Sequence, residues 1–114
     1  MAIKIIISPI AYEEFLTVAQ STFKDMAKAV VDVEKGIIAL GGQLHADGEM
    51  ELIKNGSKQD DLWGINIYVD MPKESRIEFN SLINIRPMIP NRSMNIQDET
   101  IKNKITEIVN KLIG

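Results

Sequence analysis

The stretch from Gly36 to Asp70, GIIALGGQLHADGEMELIKNGSKQDDLWGINIYVD, most limits what this chain can fold into. It holds the only histidine and the only tryptophan, together with the clearest alternation of polar and apolar residues. Side chains along a strand point to opposite faces with a period of two. Leu62 to Val69 therefore reads as a strand with Trp63, Ile65, Ile67 and Val69 on one face. Leu62, Gly64, Asn66 and Tyr68 take the other. From His45 to Leu52 the same period sets His45, Asp47, Glu49 and Glu51 against Ala46, Gly48, Met50 and Leu52. A helix starting at Asp47 competes for this segment. It would carry Gly48 in its first turn, and glycine inside a helix costs about 1 kcal/mol relative to alanine. The strand is the expectation taken forward. Asn55-Gly56 is a turn signal, widened by the polar run Ser57 to Asp61.

The flanking segments supply the remaining elements. Ile3 to Ile7 is a β-branched run interrupted only by Lys4, as in a strand buried on both faces. Ser8-Pro9 reads as a helix start, serine as N-cap and proline at the first helical position. That helix would run to about Phe23 and bury Tyr12, Phe15 or Leu16, Ala19 and Phe23. Ala27 to Val33 alternates, Glu34-Lys35-Gly36 turns, and Ile37 to Leu40 returns as the partner strand, with a bend at Gly41-Gly42. Arg76 to Arg86 reads as a last strand or a bent pair. Pro87 and Pro90 stop pairing and bracket an irregular loop. A closing helix begins at an Asp98 cap and buries Ile101, Ile105, Ile108, Val109 and Leu112 along one stripe.

These elements predict one α+β domain spanning residues 1–114, a two-layer sandwich. Its sheet would have five or six mostly antiparallel strands, with the N- and C-terminal amphipathic helices on one face. A chain of 114 residues buries roughly two thirds of its unfolded surface, enough for one core without staples. There is no cysteine, which excludes disulfides, thiol catalysis and zinc–thiolate sites and fits a reducing compartment. The formal charge of −3 argues against a dedicated DNA-binding surface, which would show as a basic patch. The apolar run near the N-terminus is cut by Pro9, so no secretory signal is read there. No segment reaches the roughly 18 apolar residues of a membrane span. The expectation is a soluble, cytoplasmic protein.

With both helices on one face, the other face would be polar and open. It would carry His45, Asp47, Glu49, Asn66, Tyr68, Asn80, Asn84 and Arg86. On a strand, His45 and Asp47 stand roughly 6.6 Å apart and can lean onto one cation. His45, Asp47 and Glu49 form an oxygen-rich set suited to a divalent cation such as magnesium or manganese. The competing reading is the ordinary wet side of an antiparallel strand. The loop NIRPMIPNRS is the second feature: Arg86 and Arg92 flank the prolines, with Asn91 and Ser93 as added hydrogen-bonding groups. Arginine forks match phosphate or carboxylate, so this set reads as an anion clamp for a phosphate-containing ligand. The alternative is that these arginines pair with Glu49, Glu51 or Glu78 to hold the loop on the sheet.

The segments VVDVEKGIIALGGQLHAD, NGSKQDDLWGINIY, INIRP and NRS resemble the characteristic segments of a prokaryotic family of small proteins of unknown function. The resemblance covers nearly the whole chain and implies a complete stand-alone domain. Leu44-His45-Ala46-Asp47, then Glu51-Leu52 and Trp63, also resemble the phosphoesterase domain of bacterial DNA-repair ligases. In that domain a strand carries Leu-His-x-Asp, followed by Glu-Leu and a Trp. Its additional histidines are absent here, and Glu49 stands where that family has an arginine.

Two functions follow from these readings. The first is a binding or interaction module acting through the polar sheet face, with a homodimer through an open edge strand. The alternative is a metal-assisted phosphoesterase or nuclease-like enzyme, with His45 and Asp47 as catalytic groups and Arg86 and Arg92 holding phosphate.

Overall fold

A computed structural model describes residues 3–86 and 91–114. Its centre is a five-stranded antiparallel sheet in the order β1-β3-β2-β4-β5. The strands are β1 (Lys4–Ile6), β2 (Met26–Asp32), β3 (Ile37–Leu40), β4 (Leu62–Tyr68) and β5 (Ile77–Glu78). The helices are α1 (Tyr12–Gln20), α2 (His45–Lys54) and α3 (Glu99–Leu112). The architecture is α+β, with the first and last helices on the same face of the sheet.

Alternation in β2 and β4 sorts the core as the sequence implies. Ala27, Ala29 and Val31 of β2 join Trp63, Ile65 and Ile67 of β4 beneath Phe15, Val18 and Ala19 of α1. Ile105, Val109 and Leu112 of α3 close the same core. The β2–β3 turn forms at Glu34-Lys35-Gly36, where Gly36 takes a positive φ of 69°. Asp32, fully buried, stabilises that turn. One carboxylate oxygen accepts from the Glu34 and Lys35 amides at 2.9 and 2.8 Å, and the other accepts from the Ser57 hydroxyl at 2.7 Å. The Asp98 side chain caps α3 by accepting from the Thr100 and Ile101 amides.

Three expectations are corrected. The segment from His45 to Leu52 is helix α2, not a strand. Gly48 is the reason: a Cβ there would stand 3.0 Å from Val30 Cγ2 and 3.5 Å from Ala39 Cβ. The missing side chain lets α2 lie close on the sheet and bury Leu52 against Val30, Ala39 and Leu62. Close packing offsets the helical cost of glycine. The face expected to be open is thus partly roofed by α2.

Next, α1 begins at Tyr12 rather than beside Ser8-Pro9. Ile10 is held beforehand in a parallel bridge to Ile113, its amide donating to the Leu112 carbonyl at 3.0 Å. Finally, only Ile77–Glu78 of the last predicted strand pairs as one. The chain then touches Asn95 from Asn80, makes a 3-10 turn at Leu82–Asn84 and bridges Arg86 to Asn91.

Candidate functional site

The part of the second sheet face that α2 leaves uncovered holds a cavity of about 400 Å³. Its polar lining comes from Lys28 of β2, His45 at the start of α2, Asn66 of β4, and Asn80 and Ser81. Leu44, Leu82, Ile83 and Met94 supply the apolar lining. Of these, Leu44, Leu82 and Met94 are exposed. Lys28 and Asn66 are cross-strand partners in the β2–β4 ladder, which sets them side by side on this face.

His45 is 8% exposed, and its Nε2 lies 2.7 Å from the Ile65 carbonyl. A carbonyl only accepts, so Nε2 carries the proton and neutral His45 keeps an acceptor lone pair on Nδ1. Burial pushes the imidazole below its ordinary pKa, the Ile65 carbonyl and the Asn66 amide pull it back, and the charge of Lys28 adds to the lowering.

Asn66 is 6% exposed. Its Nδ2 donates to Glu78 Oε1 at 2.8 Å, and the Tyr68 hydroxyl donates to the same oxygen at 3.1 Å. Burial raises the Tyr68 pKa, and Glu78 raises it further. The remaining polar atom, Asn66 Oδ1, is buried and has no donor among the described residues. The first turn of α2 adds to the site. Leu44 is its N-cap and offers no side-chain cap, so its leading amides lie beside the cavity unengaged by a capping side chain.

The other predicted site residues scatter. Asp47 is exposed and Glu49 half-buried on the helix. Positions two apart on a helix do not face each other, so His45 and Asp47 lose the shared face a strand would give them. Among the described residues no group of three or more His, Cys, Asp or Glu is placed to hold a metal ion.

Asn84 is fully buried and acts as a one-residue edge strand. Its Oδ1 accepts from the Gly64 amide at 2.8 Å and its Nδ2 donates to the Gly64 carbonyl at 3.0 Å. Asn91 binds its own loop: Nδ2 donates to the carbonyls of Asn84, Ser93 and Asn95, and Oδ1 accepts from the Gln97 amide. The Ser93 hydroxyl accepts from the Asn95 amide. Arg92 is exposed, and Arg86 is buried with its guanidinium carbon 4.6 Å from the centre of the Trp63 ring. Pro87 and Pro90 lie outside the described residues.

A family model described as Protein of unknown function (DUF5674) matches residues 4–112. The chain belongs to the DUF5674 family. No curated protein and no solved structure matches it. The likeness of this DUF5674 protein to the ligase phosphoesterase domain rested on a strand carrying His45 and Asp47, and that segment is helical.

Alternation in β4 placed Asn66 on this face; His45 and Asn80 line the same cavity, but from a helix and an isolated bridge rather than from the strands expected to carry them. Lys28, Ser81 and the apolar wall were missed as site residues. Lys28 had a signal, since it alternates out of the Ala27–Ala29–Val31 face beside Val30. Ser81 and Met94 had none, because an irregular segment brings them in.

Proposed function

We propose that this DUF5674 protein is a binding module that takes a small organic anion into the cavity beside His45. One observation carries the reading: Asn66 Oδ1 is a buried acceptor that no described group meets with full hydrogen-bond geometry, its one neighbour with a proton to give being the His45 ring, on the wall of a cavity of about 400 Å³. Buried polar groups are nearly always hydrogen-bonded, so an orphan on a cavity wall marks a place where a ligand supplies the missing partner. Lys28 and the uncapped start of α2 favour negative charge on that ligand. Leu44, Leu82, Ile83 and Met94 favour an apolar body.

The phosphoester-cleaving alternative draws no support from this geometry. Asp47 and Arg92 are exposed, and neither they nor Arg86 line the His45 cavity. A homodimer through an edge strand would use the three residues of β1 or the two of β5. Sedimentation at high protein concentration reads that state, and a monomeric mass removes it.

Hexanoate, hexyl phosphate and hexanamide test the binding proposal by chemical shift and melting temperature. A probe at 100 times its Kd adds about 2.7 kcal/mol of stability. The anionic probes should shift His45 and Asn66 more than the neutral amide does, and Lys28→Met should weaken them by about tenfold. If no probe shifts these residues, or if Lys28→Met leaves the shifts intact, the proposal fails. The carboxylate and the phosphate ester separate the two sources of negative charge.

A further inference from the structure

Asn66 sets a second requirement on a ligand of the His45 cavity, beyond negative charge. Its side-chain amide has one workable orientation. Nδ2 donates to Glu78 Oε1 at 2.8 Å and faces the Asn80 carbonyl at 3.5 Å. Turned round, Oδ1 would meet two oxygens that accept. Oδ1 is therefore fixed as an acceptor, and no described group meets it with full hydrogen-bond geometry. The neutral His45 ring beside it has one proton, which Nε2 gives to the Ile65 carbonyl at 2.7 Å. A second proton on that ring is opposed by burial and by the charge of Lys28. An acceptor left unmet in this way carries a desolvation cost, which a donor on a ligand removes.

The lining decides which donor. Lys28 brings positive charge to the cavity, and among the described residues no carboxylate lines it. An ammonium there would stand beside Lys28 with nothing to balance it, whereas a hydroxyl donates without adding charge. Lys28 and Asn66 face each other directly across the β2–β4 ladder, so an anionic group and a hydroxyl meant for them fit on one small molecule. The other face of the sheet has the opposite character. A cavity of about 310 Å³ beside Trp63 is lined by Glu34, Asp60, Asp61 and Asp98 against Lys104. It repels an acid, so of these two cavities only the one beside His45 suits it.

We propose that the ligand of the His45 cavity is a small hydroxy acid, its acid group at Lys28 and the first turn of α2 and its hydroxyl donating to Asn66 Oδ1. The inference rests on the anion-binding reading and adds a second recognised group to it. Leu44, Leu82 and Met94 then cover the carbon chain, and a volume of about 400 Å³ holds a molecule of that size.

The intact protein is titrated by calorimetry with hexanoate, its α-hydroxy and β-hydroxy derivatives, their methoxy ethers, and α-aminohexanoate, each enantiomer separately. At least one hydroxy acid should bind about tenfold tighter than hexanoate. Its methoxy ether keeps the oxygen but has no proton to give, and should lose that gain. The amino derivative sets an ammonium beside Lys28 and should bind about tenfold more weakly than the hydroxy acid. Asn66→Ala should bring the hydroxy acid down to the affinity of hexanoate. If that variant does not fold, the ether comparison in the native protein carries the test. The proposal is overturned if neither hydroxy acid gains on hexanoate, if the ether keeps the gain, if the amino derivative matches the hydroxy acid, or if the gain survives in Asn66→Ala. Hexanoate binding without a hydroxyl gain defeats the hydroxy-acid inference and leaves the anion reading standing. Failure of every acid to bind defeats both.

Discussion

His45 shows how much one side chain reveals in the sequence and how much it withholds. Alternation in β4 puts Asn66 on the face away from Trp63, but the strand period that set His45 beside it belongs to a segment that is helical, so the place of His45 was not legible. Its partner, the Ile65 carbonyl, lies 20 residues away and no local pattern points to it. The same holds for Asp32, whose Ser57 donor arrives from beyond α2. The His45 environment has a pH consequence. An exposed imidazole titrates near about pH 6.5, and burial lowers the folded value. Below that pH the unfolded chain binds more protons than the folded one, so this part of the stability is complete above about pH 6.5 and drains away as pH falls toward the folded pKa. Comparing melting temperatures at about pH 7.5 and pH 5.5, His45→Gln should lose less than the native protein. Carboxylate titration is common to both and cancels. Equal losses would mean that His45 titrates alike folded and unfolded.

At the scale of elements, the lesson lies in glycine. HADGEMEL satisfies a strand period, and Gly48 argued against a helix by about 1 kcal/mol. What reversed the balance was tertiary: the absent Cβ is where Val30 Cγ2 comes within 3.0 Å, and a sequence carries no sign of which neighbour will approach. Strands β2, β3 and β4 were legible because both faces of their alternation are buried by separate layers. The segment after β5 was not, because side-chain amides replace its backbone pairing. Gly64 is the hinge of that replacement. A Cβ there would stand 2.6 Å from both Cβ and Oγ of Ser81 and 3.0 Å from Ile83 Cγ1. Gly64→Ala must therefore push the 81–84 segment off β4 and strain both Asn84 hydrogen bonds. Overpacking of this kind costs about 1–3 kcal/mol. Urea unfolding should show that loss, and the His45 cavity should weaken with it, since Ser81 and Ile83 line its wall. Native stability in Gly64→Ala would show that the segment has room to yield.

For the whole molecule, the sheet is a partition with a cavity on each side. Both draw on β4: Asn66 faces one and Trp63 the other. Whether the two sites speak to each other depends on whether β4 can move. It pairs with β2 along its whole length, Leu62 to Tyr68 against Asp32 to Met26, and helices pack against both faces of that pair. A strand held this way lacks the second discrete arrangement that would carry coupling between faces. The expected outcome is independence. Lys28→Met should weaken anion binding beside His45, Asp60→Asn in the wall beside Trp63 should leave that binding unchanged, and the double variant should show the sum. Well-separated substitutions add to within about 0.5 kcal/mol, which sets the threshold for the double-mutant cycle in binding and in unfolding. A larger interaction energy would mean that a change on one face shifts β4 against β2. The sheet would then be the route by which one face reports on the other.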